Sequence, residues 1–173
     1  MATVDVTITF LAMEHPSMLR PKRVVREGVA LVRVDPPTAE IAARFYRDVG
    51  GAYHWLDRAA WAAAQWTEEL SREGSELWVL RVDGEDAGFF EMLMPRPGVR
   101  EIHYFGLLPG FEGQGLGAHL LTLAVERGWD AGADHVILNT CTLDHPSALP
   151  NYLARGFEIV GTRTERRELP EHA

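Results

Sequence analysis

A glycine-rich stretch constrains this chain more than any other feature of its sequence. Residues 111–121, FEGQGLGAHLL, carry glycine at 113, 115 and 117 and then become apolar at helical spacing. Glycines at alternate positions leave the N–H groups of a turn unscreened, and a helix start adds about half a positive charge. Such a turn holds an anion, and we expect a pyrophosphate. The alternative is a merely flexible turn. It is less favoured because three glycines lower the stability of the helix end and no packing contact compensates for that loss.

Alternating and β-branched residues predict a sheet around this turn. Three segments joined by tight turns form an antiparallel meander before the glycines, and strands and helices alternate after them. The sequence therefore predicts an α+β fold with a mixed sheet covered by helices, in a single domain spanning residues 1–173. The predicted strands are 3–13, 29–34, 76–84, 86–94, 100–108, 134–142 and 157–163, and the predicted helices are 39–49, 57–72, 115–130 and 146–154.

Composition excludes several classes of protein. The one cysteine, Cys141, excludes an internal disulfide and any cysteine-based zinc cluster, and it suits a reducing compartment. The formal net charge of −8 argues against nucleic acid as a partner. No apolar run approaches the roughly 20 residues of a membrane span, and the N-terminus lacks the pattern of a signal peptide. We expect a cytoplasmic protein with no membrane association.

A dinucleotide site is a weaker interpretation of the same glycines. Gly113-x-Gly115-x-x-Ala118 matches the relaxed dinucleotide fingerprint, which suggests an NAD-dependent oxidoreductase. However, the motif follows a meander, and too little chain remains after it for a second nucleotide half. A Walker-type phosphate loop is excluded because no Gly-Lys-Ser/Thr occurs.

The motif resembles the signature of the GCN5-related N-acetyltransferases (GNAT), Gln/Arg-x-x-Gly-x-Gly/Ala at a helix start after the central strand. Here the sequence is Glu112-Gly-Gln-Gly115-Leu-Gly117, with Glu112 where the family usually has Gln or Arg. An acidic side chain there repels a pyrophosphate unless it turns away. A second element, Tyr152-Leu-Ala-Arg-Gly156-Phe157, is similar to the family's Tyr-x-x-x-Gly-Phe, and the resemblance extends from about residue 76 to 163.

The resemblance implies a GNAT-like sheet, largely antiparallel, with helices on both faces and a splayed cofactor cleft. It implies an N-acetyltransferase that moves an acetyl group from acetyl-CoA to a primary amine of a small molecule or protein, and homodimers are common in the family. Leu107 and Leu108 would pair with the pantetheine amides. Backbone donors to the pyrophosphate would come from Gly113, Gln114, Gly115, Leu116, Gly117 and Ala118.

Three side chains are candidates for the chemistry. Glu101 matches the general base of the histone-modifying branch, although it can also be a solvent-facing residue that balances Arg100. His103 lies on the same face of the strand, because side chains alternate with a period of two. It can act as the base, either directly or through a water, or it has a structural role only. By the same resemblance Tyr152 would protonate the leaving sulfur; its alternative role is a core aromatic whose hydroxyl caps a backbone group.

Other reactive groups point less clearly to a role. His145 is a candidate for assisting the acid Tyr152 or for binding the cofactor, but a helix-capping role is the favoured interpretation. Asp144 and His145 follow Cys141 by three and four residues on a strand and turn, so their side chains do not converge on its thiol as a cysteine nucleophile requires. Histidines 15, 54, 103, 119, 135, 145 and 172 include no His-x-x-x-His pair, so we expect no metal.

The sequence gives little information about the pocket that would bind the acceptor amine. The first two helices usually line it in the family, and here that region is rich in aromatic residues. Aromatic walls beside acidic residues hold cationic amines, but tryptophans on an amphipathic helix more often pack against a sheet. The residues concerned are Tyr53, His54, Trp55, Trp61 and Trp66, with Asp57, Glu68 and Glu69. A noncatalytic acyl-CoA-binding module, with the glycine turn but no base, is the alternative function.

Overall fold

Seven strands and four α-helices form the fold in residues 1–171, which the structure, a computed structural model, describes. His172, one of the histidines considered above, lies outside these residues. The strands are β1 (Ala2–Met13), β2 (Val29–Val34), β3 (Glu76–Val82), β4 (Glu85–Leu93), β5 (Val99–Leu107), β6 (His135–Cys141) and β7 (Glu158–Leu169). The helices are α1 (Ala39–Gly50), α2 (Ala63–Leu70), α3 (Leu116–Asp130) and α4 (Ala148–Ala154).

All seven strands belong to one open sheet of order β2-β3-β4-β5-β6-β1-β7. Neighbouring strands are antiparallel except β5 and β6, which are parallel. The first strand of the chain therefore lies between the last two. This arrangement confirms the predicted α+β fold with a mixed, largely antiparallel sheet.

The parallel pair is short. β5 and β6 are in register only from Val99 opposite His135 to Glu101 opposite Ile137. On the other side of β5, the register with β4 shifts where Ile102 and Tyr104 face consecutive residues of β4, which leaves His103 as the extra residue of a bulge. Beyond Glu101 the two strands diverge, and a wedge opens in the middle of the sheet.

Two apolar cores hold the helices on opposite faces of the sheet. One core joins α3 and α4 to the sheet, and the other joins α1 and α2 to it. Buried members of the first include Leu11, Met92, Leu120, Leu121 and Val136; those of the second include Phe45, Trp66, Leu77 and Phe89. The predicted helical cover on both faces is confirmed.

Three predicted boundaries are wrong, two of them for non-local reasons. The helix predicted at 57–72 covers only Ala63–Leu70, because the preceding turn buries Arg58 and ties its N–H to the Tyr46 hydroxyl at 2.9 Å. The helix predicted at 146–154 begins at Ala148. The last strand continues to Leu169 because β1 pairs with it as far as Ala2.

A basic segment between β1 and β2, here called the strap (residues 14–28), lies along α3. The N–H of Lys22 donates to the Thr122 hydroxyl at 3.0 Å, and that hydroxyl lies 3.1 Å from the Lys22 carbonyl. The N–H of Val24 donates to His119 Nδ1 at 3.1 Å. These bonds hold the strap to successive turns of one helix, so its backbone has a defined position.

We predict that the contact between the strap and Gly156 requires glycine. Gly156 and Gly132 both have positive φ, 105° and 91°, but only at Gly156 would a Cβ collide with another segment, at the Met18 carbonyl. In denaturant unfolding, Gly132→Ala should cost about 1–2 kcal/mol, the price of the backbone conformation. Gly156→Ala should cost about 1–3 kcal/mol more because of the collision. Equal losses would contradict this contact.

We also predict an acid-sensitive contribution to stability from His119. Burial, with the charge of Arg23, lowers the pKa of His119 below its ordinary value of 6.5. The unfolded chain then takes up the proton more readily, so stability is fully present above pH 6.5 and falls as the pH drops through the folded pKa. His119→Gln, which keeps an acceptor for Val24 N–H, should remove this part of the pH dependence of the unfolding free energy. The exposed His135→Gln is the control.

Candidate active site

One cavity of about 700 Å³ follows the wedge between β5 and β6. The glycine turn and α4 form one end of its lining, and the loop after α1 contributes Tyr53, His54, Trp55 and Asp57. Within residues 1–171, no three His, Cys, Asp or Glu side chains group as metal ligands. No helix in the same range is long and apolar enough to cross a membrane.

The glycine turn presents unbonded N–H groups to this cavity. Gly113 and Gly115 have φ of 76° and 77°, which favours glycine, and α3 begins at the next residue, Leu116. The first helical bond is donated by the N–H of His119 to the Gly115 carbonyl, at 3.2 Å. Within the described part of the chain, the N–H groups of residues 113–118 have no acceptor. This donor set fits a pyrophosphate.

Two further residues complete this end of the cavity: Asn151 in α4 and Arg155 directly after it. Sequence reasoning missed both. Asn151 Nδ2 donates to the Gly117 carbonyl at 3.2 Å, which ties α4 to the start of α3. Arg155 lines the cavity, and its Nε is buried without a hydrogen-bond partner in residues 1–171. Their role depends on contact between helices that are distant in sequence, and no local motif marks it.

The two leucines expected to pair with the pantetheine have different surroundings. Leu107 lines the cavity, whereas the N–H of Leu108 donates to the Ala87 carbonyl at 2.8 Å and Leu108 packs into the apolar core under α1. Because successive N–H groups of a strand point to opposite sides, the Leu107 amide faces the wedge. Of the two leucines, Leu107 therefore offers its N–H to the wedge, whereas the N–H of Leu108 is taken by β4.

Glu101 and His103 are in contact. Glu101 Oε2 lies 2.5 Å from His103 Nδ1, and their side chains are 17% and 30% exposed. His103 lines the cavity and Glu101 lies behind it. Arg100 does not balance Glu101, because its guanidinium donates to the Ala131 carbonyl instead. The pair thus consists of a carboxylate that orients an imidazole at the cavity wall.

Tyr152 reaches the same cavity from α4. Its ring packs edge-on against Phe105 and Phe157, and its hydroxyl has no hydrogen-bond partner among the residues the structure describes. Burial raises the pKa of Tyr152 well above its ordinary value, and the charge of Asp144 adds to this. The phenol is therefore protonated at neutral pH and available as a proton donor.

The structure does not assemble a cysteine nucleophile from Cys141, Asp144 and His145. Asp144 accepts hydrogen bonds from the Thr140 hydroxyl and from the Cys141 N–H, which makes it part of a turn. Burial raises the pKa of Cys141, and Asp144 raises it further, so the thiolate is disfavoured. His145 Nδ1 accepts from the Ser147 N–H at 3.0 Å, a local capping contact.

The aromatic residues of the acceptor region divide into two sets. Tyr53, His54 and Trp55 line the cavity. Trp61 and Trp66 instead pack around the buried guanidinium of Arg58, with ring centroids 4.5 and 5.1 Å from its Cζ. Of the acidic residues, Asp57 lines the cavity, Glu69 lies 3.6 Å from Arg58, and Glu68 is exposed.

Arg58, which sequence reasoning missed, forms the buried ion pair beneath this wall. Its Nη1 lies 2.8 and 2.9 Å from the two carboxylate oxygens of Glu91. The side chains are 4% and 2% exposed. Its Cζ also lies 4.8 Å from the ring of Tyr104, the neighbour of His103. The pair therefore fixes the turn before α2 against the central strands.

Breaking that pair should be costly. Arg58→Met leaves the Glu91 carboxylate buried without a partner, so we expect a loss of about 3–5 kcal/mol in the free energy of unfolding. Arg47→Met, which breaks the exposed pair with Asp48, should cost less than about 1 kcal/mol. Urea unfolding measures both, and the double variant Arg58→Met/Glu91→Leu should recover much of the loss. A loss at Arg58 no larger than at Arg47 would contradict the pair's role.

Comparison with known proteins identifies the family. The profile of the acetyltransferase (GNAT) family matches residues 33–157. The chain belongs to this family. The matched range includes the strands of the wedge, the glycine turn and Tyr152.

The individual relatives share a limited sequence identity with this chain. A protein of Archaeoglobus fulgidus described as an uncharacterized N-acetyltransferase is 34% identical over 86 residues, which is 46% of this chain and 50% of that protein. A GCN5-related N-acetyltransferase from Kribbella flavida superposes with a TM-score of 0.67 at 22% identity, over 95% of this chain and 58% of that one. An aminoglycoside acetyltransferase from a soil metagenome, in complex with sisomicin, has a TM-score of 0.57 at 13% identity, over 74% and 86%. These structures share the fold, and the chain spans about half the length of the first two proteins.

Proposed function

We propose that this chain transfers an acetyl group from acetyl-CoA to a primary amine by direct attack. One observation carries the proposal: a single cavity joins the unbonded N–H groups of the glycine turn to the Glu101–His103 pair, along the unpaired edge of β5. Membership of the GNAT family supports acetyl transfer. The structural likeness to an aminoglycoside acetyltransferase supports an amine as the acceptor.

The chain's part in binding follows from its free backbone donors. Acetyl-CoA, when bound, supplies a thioester whose acetyl group passes to the amine nitrogen while the thiolate leaves. The N–H groups of residues 113–118 hold the pyrophosphate, assisted by the positive end of α3. The Leu107 amide, on the open edge of β5, pairs with a pantetheine amide.

A base is needed because a lysine-like ammonium has a pKa of about 10.4 and attacks only after losing a proton. We assign this step to His103 Nε2, since the imidazole lines the cavity. His103 Nδ1–H donates a hydrogen bond to Glu101 Oε2, which fixes the tautomer that leaves Nε2 free to accept a proton. Glu101 is then a positioning residue, the reverse of the order that the sequence favours.

Tyr152 supplies the proton for the leaving sulfur. A tyrosine phenol is protonated throughout the neutral range, and burial raises the pKa of Tyr152 further. Its hydroxyl has no competing hydrogen-bond partner in residues 1–171. On the other side of the cavity, Tyr53, Trp55 and Asp57 form an aromatic and acidic wall. Such a wall attracts an ammonium group toward the base.

Calorimetric titration with acetyl-CoA, with NAD as the parallel ligand, tests the binding step. We expect acetyl-CoA to bind with a Kd on the order of micromolar and NAD not to bind. Binding of NAD alone would indicate an oxidoreductase and overturn the proposal. Binding of acetyl-CoA without turnover of any amine in a broad screen would indicate a noncatalytic acyl-CoA-binding module.

Three substitutions test the assigned chemistry once an acceptor is found. His103→Gln should lower kcat about 10²–10³-fold with acetyl-CoA affinity unchanged, because it removes the base. Glu101→Gln should lower kcat less, because the imidazole remains but loses the carboxylate that orients it, and it should leave KM and acetyl-CoA affinity nearly unchanged, whereas a loss of packing would change them too. Tyr152→Phe should lower kcat about tenfold or more. The exposed His135→Gln is the control, and unchanged kcat in His103→Gln would remove the base assignment.

A further inference from the structure

The strap carries an unusual set of positive charges. Of its four basic residues, only Arg23 forms an ion pair with a described residue, Glu126, through two bonds of 2.7 and 2.8 Å. Arg20, Lys22 and Arg26 form no ion pair within residues 1–171. The chain has 25 acidic and 17 basic residues, so acidic partners are plentiful elsewhere. Unpaired cations on one short segment therefore suggest an anion from outside the chain.

These cations are held beside the glycine turn. Both backbone polar groups of Lys22 are tied to Thr122, and Val24 lies against the turn, where a Cβ on Gly115 would be 3.5 Å from its side chain. Arg26 Nη1 reaches Gln114 Oε1 at 3.5 Å. The anchored backbone thus carries the charges at a fixed position relative to the unbonded N–H groups.

Arg155 extends the same rim from the other end of the chain. The strap binds its backbone, since the N–H of Arg20 donates to the Arg155 carbonyl at 2.8 Å. Lys22 and Arg155 both line the cavity. Arg155 Nε is buried without a partner among the described residues, which is costly unless a ligand satisfies it. The cavity rim therefore presents two unpaired cations from segments far apart in sequence.

The turn itself supplies no positive side chain. The side chain of Glu112 is exposed and lines the cavity. Its carboxylate opposes any phosphate there, so the cations that offset it must come from another segment. Three cations of other segments line the cavity, Lys22, Arg155 and Arg167, and of these Arg167 is already bound to Glu165 at 2.6 Å.

Coenzyme A carries a second anion besides its pyrophosphate, the 3′-phosphomonoester of its ribose. At neutral pH a phosphomonoester bears about −1.5 to −2 charges and three strong acceptor oxygens. We propose that Lys22 and Arg155 bind this 3′-phosphate, so that the chain distinguishes acetyl-CoA from its 3′-dephospho form. The inference rests on the proposed function, because acetyl-CoA is the ligand assumed there. It assigns recognition of the ligand's nucleotide end to the strap.

Calorimetry with the two ligands tests the proposal. Wild-type protein should bind 3′-dephospho-acetyl-CoA about tenfold more weakly than acetyl-CoA, as expected for loss of a charge-assisted contact. Lys22→Gln and Arg155→Gln should each weaken acetyl-CoA about five- to tenfold and leave the dephospho ligand nearly unchanged. Arg166→Gln, on the exposed face of β7, is the charge-matched control and should change neither affinity.

The outcomes separate this inference from the proposed function. Equal affinity of the wild type for both ligands would overturn the 3′-phosphate site while leaving acetyl-CoA binding intact. Equal weakening of both ligands by Lys22→Gln and Arg155→Gln would do the same, because it would show a general effect on the cavity. If the wild type bound neither ligand, both the site and the proposed function would be overturned.

Limited proteolysis gives a readout that does not depend on activity. Trypsin cuts after Lys22, Arg23 and Arg26, whereas Pro21 blocks the bond after Arg20. Saturating acetyl-CoA should slow cleavage of the strap several-fold, and saturating 3′-dephospho-acetyl-CoA should slow it much less. Equal protection by the two ligands at saturation would contradict contact between the strap and the 3′-phosphate.

Discussion

The short parallel pairing of β5 with β6 is the constraint on which the rest of the structure depends. Three residue pairs, ending at Glu101 and Ile137, join the strands before they part. Past that point the backbone of β5 keeps its bonds to β4 on one side and has an open edge on the other. Backbone N–H and C=O groups require partners, so an open edge in the middle of a sheet leaves groups of β5 available to a ligand or to water. The wedge thus comes from an interruption of ordinary sheet pairing.

The interruption survives because the sheet is supported from both faces. α3 packs its apolar side under the wedge through Leu120 and Leu121, while the buried Arg58–Glu91 pair braces the opposite face. The bulge at His103 directs that side chain to the cavity and brings it against Glu101. An apolar core thus supports the sheet on each face, and the buried ion pair adds to the support on the face of α1 and α2.

Signals that act over a few residues were readable from the sequence. The alternating meander, the glycine turn and the start of α3 near Leu116 could all be predicted, because each depends on residues close together in the chain. The full length of β7 could not, since it follows from pairing with β1. The early residues of the second predicted helix were also misassigned, because burial of Arg58 outweighs their local helix propensity. Asn151 and Arg155 gain their places only when α4 meets the glycine turn, and no spacing in the sequence encodes that contact.

The position of β1 between β6 and β7 also bears on how the chain folds. Residues 2–12 pair with residues 158–169, so the first strand of this fold borders its last. Until β7 pairs with it, β1 presents a bare edge on that side, and the cavity lacks Arg167, which lies opposite Val4. Contacts of such long sequence separation slow folding and leave strand edges exposed in the meantime. The meander and α3, whose contacts are local, are able to form early, whereas the pairing of β1 with β7 has to wait for residues far apart in the chain.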